Sequence, residues 1–422
     1  MGSLLRFSRE VEMESSALAR RYRNFSAAYL VLILIAMIGI GLHSTRTMTQ
    51  WILGDWLINY QGGFVRRGLI GQIIFLLSRW LHVSPLLVAV VVALVAYVIV
   101  YWSIWKLLEN SSWKLWVLAA FISPALVGFT VAARGGFHKD VLYLASLAML
   151  LVLLMRNVKG WVLTVYLTLA CVFCILSHEP LFVYLPYALA ALAIGIGEIK
   201  RAAAIALIPM IFALASFYAV AHFHGDTHTV TAVCDSLGKE YAQVCLGSIS
   251  NLSHSSAYAR QETIEDSTRY HYYRIYPMFG LLASIPIIMG FADLWRTPGL
   301  RRDLKLLAGT AAVSFAMSLT LFYYATDWGR WIYMHLFSLF LILLFLDHRR
   351  QTDPLTAEPV RGIAGGRVRV AFVSLLLFIY ATCWNLPNFS DKPIGGYLGL
   401  ANRALRTRSL TAIHPPDAPK MP

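Results

Sequence analysis

Residues 55–72 read DWLINYQGGFVRRGLIGQ. One acid, Asp55, is followed by a glycine pair, Gly62 and Gly63, then by Arg66, Arg67 and Gly68. The stretch comes soon after the first long apolar run, 25–43. Charged side chains beside a membrane span are expensive to keep and mark function by default. The rest of the chain turns on which side of the membrane this stretch occupies and on what else lies there.

Composition sets the class. Of 422 residues, 58% are hydrophobic and 14% charged, against about 25% charged in a soluble domain. The expectation is an all-α polytopic membrane protein, in which spans are counted before domains. The net charge of +14 is scattered between apolar runs rather than gathered on one face, which excludes nucleic acid as a partner. Cys171 and Cys174 lie inside an apolar run and read as packing residues. Cys234 and Cys245 fall in a long polar loop and are placed to pair if that loop is extracytoplasmic. No cleavable signal peptide is expected, because the first apolar run is long enough to span and no small-residue cleavage site follows it.

Eleven spans are read, at 25–43, 85–106, 114–133, 141–155, 161–177, 181–197, 202–222, 275–293, 306–325, 331–346 and 370–384. Two of these, 141–155 and 331–346, fall short of the roughly 17–20 residues a crossing needs. Each must borrow flanking residues or begin below the surface. Residues 69–81 are apolar but too short to span and read as a re-entrant or interfacial helix. With residues 1–24 as a cytoplasmic basic tail, every inner turn carries at least two cations: Lys106 and Lys114, Arg156 and Lys159, Lys200 and Arg201, then the clusters around Arg301 and Arg349. The transmembrane domain is then 25–384, with outer loops 44–84 and 223–274. Residues 351–366 form an inner linker, and 385–422 an outer tail whose Arg403, Arg406 and Arg408 either lie on a lipid surface or stay mobile. The sequons at Asn251 and Asn388 also fall outside.

In this topology the chemically capable residues share the outer ends of the spans. Asp55 is a candidate general base, its pKa expected to rise at a partly desolvated edge; the bland alternative pairs it with Arg66 or Arg67. Those two arginines suit phosphate, which the guanidinium fork grips in bidentate fashion. Adjacent arginines diverge on a helix, so one of the two is expected to face a ligand. Gly62, Gly63, Gly68 and Gly71 allow the backbone to bend and approach a ligand closely. The run RGGFHKD adds Arg134, His138, Lys139 and Asp140, the last also a fit helix cap. The run SHEP adds His178 and Glu179, with Pro180 opening a helix. DWGRW adds Asp327 and Arg330, and RYHYYRIYP, residues 269–277, is an interfacial aromatic belt. His222, His224, Asp226 and His228 alternate, so an extended strand would put all four on one face as weak metal candidates. No cofactor is called for, and a divalent metal is left open.

The pattern of Asp55 after the first span, Asp140 closing an Arg-containing turn before a later span, and Glu179 opening another resembles the GT-C superfamily of membrane glycosyltransferases. The likeness covers the first half of the chain; Asp55 is followed by Trp56 and Leu57 rather than by a second acid. GGFVRRGL also resembles membrane proteins of bacterial surface-polysaccharide synthesis. The resemblance implies an inverting transferase on the outer face of a bacterial cytoplasmic membrane. Its donor would be a polyprenyl-phosphate sugar and its acceptor a glycan or lipid. Asp55 would be the base, Arg66, Arg67, Arg134 and Lys139 would bind donor phosphate, and His138, Asp140, His178, Glu179, Asp327 and Arg330 would contact substrate. The competing expectations are an O-antigen-type polymerase using a polyprenyl-diphosphate oligosaccharide and a lipid-linked glycan flippase.

Overall fold

The computed structural model describes residues 2–109, 114–132, 136–352 and 367–388. Among them the protein is all-α. Eight helices are long and apolar enough to cross a membrane. They lie in α1 (Gly2–Arg46), α4 (Pro85–Leu107), α8 (Gly160–Ser177), the joined 3-10 turn and α9 (Glu179–Ile196), α10 (Ile199–His222), α13 (Tyr272–Leu294), α14 (Arg301–Tyr324) and α15 (Trp328–Thr352). This is an integral membrane protein by composition and architecture. Its basic N-terminal segment is not a separate element: α1 runs unbroken from Gly2 into the apolar segment.

The three remaining spans behave differently. Residues 114–133 do not make one helix. α5 (Leu115–Ile122) stops at Ser123, and α6 (Phe129–Ala132) starts only after a turn. Pro124 is the cause: it has no N–H to give and holds the preceding residue extended, Ser123 lying at φ −64° and ψ 127°. The released polar groups are taken up locally, Leu126 and Gly128 donating to the Ser123 carbonyl and the Ser123 hydroxyl meeting Tyr380 at 3.2 Å. Such backbone survives at membrane depth only where protein covers it, and residues 123–130 are buried. α7 (Asp140–Met155) keeps its 16 residues, ~24 Å at about 1.5 Å per residue, and so starts inside the protein. The 331–346 segment instead borrows from both flanks to become α15, 25 residues long. α16 (Arg367–Thr382) also has 16 residues.

α15 is the axis of the bundle: 94% of its apolar window is buried, against 17% for α14. It packs on α13, α14, α7 and α4, while α8 and α10 pair at the periphery.

At the end bearing Asp55, the two long loops fold onto each other. The first contains α2 (Leu53–Trp56) and α3 (Gly68–Leu81); the second contains α11 (Thr227–Leu237) and α12 (Ser256–Arg269). At 14 residues α3 is short of a span, and its Leu76 and Trp80 face outward. Cys234 and Cys245 form a disulfide with their Cα atoms 6.0 Å apart. The second loop is a helical cap, tied to the first by Ser248 Oγ to the Trp51 carbonyl at 2.8 Å and Asn59 Nδ2 to Ser236 Oγ at 3.1 Å. Gly63 supplies a bend at φ 98°, and the other glycines of the loop are places of close packing. A Cβ on Gly71 would run into the Ile58 carbonyl, and one on Gly62 would sit 2.9 Å from Thr229 Cα. Trp384 and Leu386 are buried and Tyr276 donates to the Asn388 carbonyl at 3.0 Å, so the segment after α16 folds back beside the start of α15.

Candidate functional site: a buried ion network beneath the cap

Four remote motifs meet at one place. Asp55 sits in the single turn of α2, which is anchored by Trp56 Nε1 donating to the Phe137 carbonyl at 2.6 Å. Arg67 lies just before α3 in the left-handed region, φ 66°. Both arginine side chains reach Glu179, Arg67 at 2.7 Å and Arg66 at 3.8 Å. Arg67 Nε lies 2.9 Å from both oxygens of Glu179, its Nη2 2.7 Å from Oε1, and its Nη1 3.5 Å from Asp55 Oδ1. Lys139, fully enclosed, donates to the Arg67 carbonyl at 2.9 Å and stands 3.7 Å from Asp55 Oδ2. His178 bridges two acids, Nδ1 3.9 Å from Asp55 Oδ2 and Nε2 3.5 Å from Asp140 Oδ1. Arg330 grips Asp140 at 2.8 and 3.2 Å and reaches Asp327 at 2.7 Å. The chain of contacts runs Glu179, Arg67, Asp55, His178, Asp140, Arg330, Asp327.

Charge balance is close. Asp55, Asp140, Glu179 and Asp327 face Arg66, Arg67, Lys139 and Arg330. Taking so many charges out of water is costly, and buried ion pairs repay it poorly compared with apolar packing. Stability therefore gives no reason for the network.

The electrostatics overturn one expectation. Burial pushes the Asp55 carboxyl up, but Lys139, His178 and Arg67 outweigh it and hold the group below the ordinary carboxylate range. Asp55 is a firmly ionised carboxylate, not one with a raised pKa. Burial brings the Lys139 ammonium down to about 8, against the pull of Asp55. Burial and then Arg330 press His138 down to about 4, so that imidazole is neutral at pH 7.

The two arginines have separate jobs. Arg67 is committed to Glu179. Arg66 Nη2 donates to the Asn251 carbonyl at 3.2 Å and Nη1 is 3.8 Å from Glu179, while its buried Nε has no hydrogen-bond partner. Of the pair, Arg66 has the spare donor capacity. His178 Nδ1 and His138 Nε2 are likewise buried without a hydrogen-bond partner.

Of the residues expected at the site, Asp55, Arg66, Arg67, Lys139, Asp140, His178, Glu179, Asp327 and Arg330 belong to the network, and the charge of His138 is set by it. Arg134 lies outside the described residues. The His222, His224, Asp226 and His228 alternation is not a strand. His222 ends α10, Asp226 caps α11 by accepting from the Thr229 amide at 2.7 Å, and His228 lies in that helix. The cap competes for the backbone, and the shared face is lost. Among the described residues no group of three or more His, Cys, Asp or Glu side chains is placed to hold a metal ion. Sequence reasoning missed the carbonyls of Asn251 and Phe223, the latter accepting from the Arg66 amide at 2.8 Å. Carbonyls carry no residue signature, so nothing in the sequence pointed to them. The chain matches no protein-family model, no curated protein and no solved structure.

Proposed function

We propose that this protein is a membrane glycosyltransferase that moves a sugar from a polyprenyl-phosphate donor to a hydroxyl of a glycan or lipid acceptor, on the outer face of a bacterial cytoplasmic membrane. The observation that carries the proposal is the convergence of Asp55, Arg66, Arg67, Asp140, His178, Glu179 and Arg330 at one end of the spans, at a stability cost with no structural return.

Roles follow from the contacts. Arg66, with its unused donor beneath the cap, takes the donor phosphate. Arg67 is held by Glu179 and in turn positions Asp55. Arg67, Lys139 and His178 stop 3.5, 3.7 and 3.9 Å from the Asp55 carboxylate. The acceptor hydroxyl is assigned to this carboxylate, which the three neighbours hold ionised. In the transfer, the acceptor oxygen bonds to the anomeric carbon from the face opposite the departing phosphate. The bond from that carbon to the phosphate oxygen breaks, and its electron pair leaves with polyprenyl phosphate beside Arg66. The proton goes to Asp55. A weakly basic carboxylate suffices if the proton leaves late, when the hydroxyl has become acidic by bonding to an oxocarbenium-like carbon. The test measures donor binding and single-turnover transfer on Arg66→Ala and Asp55→Asn in nanodiscs. The two variants should fail differently, one in binding and turnover, the other in turnover alone.

A further inference from the structure

A second polar recess lies apart from the ion network. A cleft of about 350 Å³ opens between the last turn of α3, the first residue of α4 and the cap. Small-molecule sites begin at about 300 Å³. Its lining includes Ser78, Arg79, His82, Ser84, Glu240 and Tyr241. Arg79 lies over the Phe75 ring at 4.6 Å, and among the described residues neither Arg79 nor Glu240 makes an ion pair. The cleft thus presents one open cation, one open anion and several hydroxyls.

Its position says what would fill it. Pro85 opens a membrane-length helix, so the cleft stands at the level where α4 enters the bilayer. Around it Trp80 is 76% exposed and Leu76, Leu81, Val83 and Leu87 also face outward. A tryptophan among exposed aliphatic residues at a span terminus belongs at the headgroup boundary. A ligand here has acyl chains along the outer face of α3 and α4 and a polar end in the cleft. An anionic headgroup would suit Arg79 but meet Glu240, and an uncharged one would leave both ions without a partner. A phosphate joined to a primary ammonium satisfies both. We infer that the cleft binds the headgroup of a zwitterionic aminophospholipid, with Arg79 on the phosphate and Glu240 on the ammonium. The inference is independent of the proposed glycosyl transfer.

The test is native mass spectrometry of the delipidated full-length protein with phosphatidylethanolamine, phosphatidylcholine or phosphatidylglycerol added in turn, with and without inorganic phosphate. Phosphatidylethanolamine should be retained about tenfold better than the other two, the value of one charge-assisted hydrogen bond. Arg79→Gln and Glu240→Gln should each lower its retention about tenfold, and the second should abolish the preference over phosphatidylglycerol. Both side chains are exposed, so neither change threatens folding. Equal retention of the three lipids, a preference for phosphatidylglycerol, or retention indifferent to both substitutions would overturn the inference. Displacement by equimolar inorganic phosphate would mark a free-phosphate site and overturn it too.

Discussion

α15 carries buried charge at both of its ends, and the two ends differ in kind. At the Arg330 end, Arg330 joins Asp140 of α7, Asp327 before α15, and through His178 the Asp55 loop. At the other end, Arg350 pairs with Asp347 one turn back and with Asp293 of α13, which also meets Lys114 at 2.8 Å. The second cluster has a structural account: it pins α13 and the start of α5 to α15, with one of these three ion pairs local to one helix turn. The first is the longer chain of contacts, running from the Asp55 loop through His178 and Asp140 of α7 to α15, and Arg66 Nε and His178 Nδ1 within it are buried without a hydrogen-bond partner. Burial of charge alone does not mark a site. The longer reach of the first network and the unpartnered Arg66 and His178 nitrogens within it are what make it the candidate site.

The largest effect that would separate the two ends is on turnover. Asp55→Asn keeps shape but cannot take a proton, so single-turnover transfer should fall by about two to four orders of magnitude while donor binding survives. Near-native transfer would make the Asp55 end as structural as the Arg350 end. Next comes stability. Asp140→Ala strips Arg330 of its two-point partner in a buried setting and should cost about 3–5 kcal/mol. Asp293→Ala, whose side chain is 21% exposed, should cost about 1–2 kcal/mol with transfer intact. Thermal unfolding of both variants in one detergent reads this contrast directly, and equal losses would erase it.

A smaller effect tests the division of labour within the arginine pair. Arg66→Ala should weaken donor binding about ten- to a hundredfold. Arg67→Lys, which keeps the charge but loses the two-point grip on Glu179, should instead lower turnover through a misplaced Asp55. If Arg66→Ala binds donor normally, the spare donor has no ligand and the phosphate assignment fails.

The smallest effect is in pH. The Lys139 ammonium is brought by burial from its ordinary 10.5 to about 8. Below pH 8 it is charged folded and unfolded alike, and its contribution to stability is constant. Between about 8 and 10.5 the unfolded chain binds the extra proton, so this group makes stability rise with pH. Turnover should move the other way, falling up to about tenfold through pH 8 as Asp55 loses a neighbouring cation. Lys139→Met should remove that inflection, and a profile unchanged by the substitution would show that Lys139 does not act on Asp55.

Much of the site could be read in the chain. Asp55, Arg67, His178 and Glu179 stood out because charge beside an apolar run is costly wherever the chain folds. Their mutual contacts could not be read. Arg67 reaches Glu179 because its backbone is left-handed and because α8 returns the chain to the same end. The packing partners of the glycines were hidden for a related reason. Gly71 is needed against Ile58, a contact within the loop itself that spacing does not reveal. The alternating histidines were misread because a two-residue period fits a strand equally before and after Asp226 caps a helix.

The sequence by itself determined that this is a helical membrane protein with its clustered charges at helix ends. Hydrocarbon admits only backbones that satisfy their own hydrogen bonds, and it expels charge to the ends of the spans. Tertiary structure alone decided that 114–133 breaks at Pro124, that α7 begins inside the protein, and that the second loop folds into a cap over the first. It also decided which arginine keeps a free donor. Those outcomes rest on contacts between residues up to 257 positions apart, whose energies depend on distances of a few ångströms that no local pattern encodes.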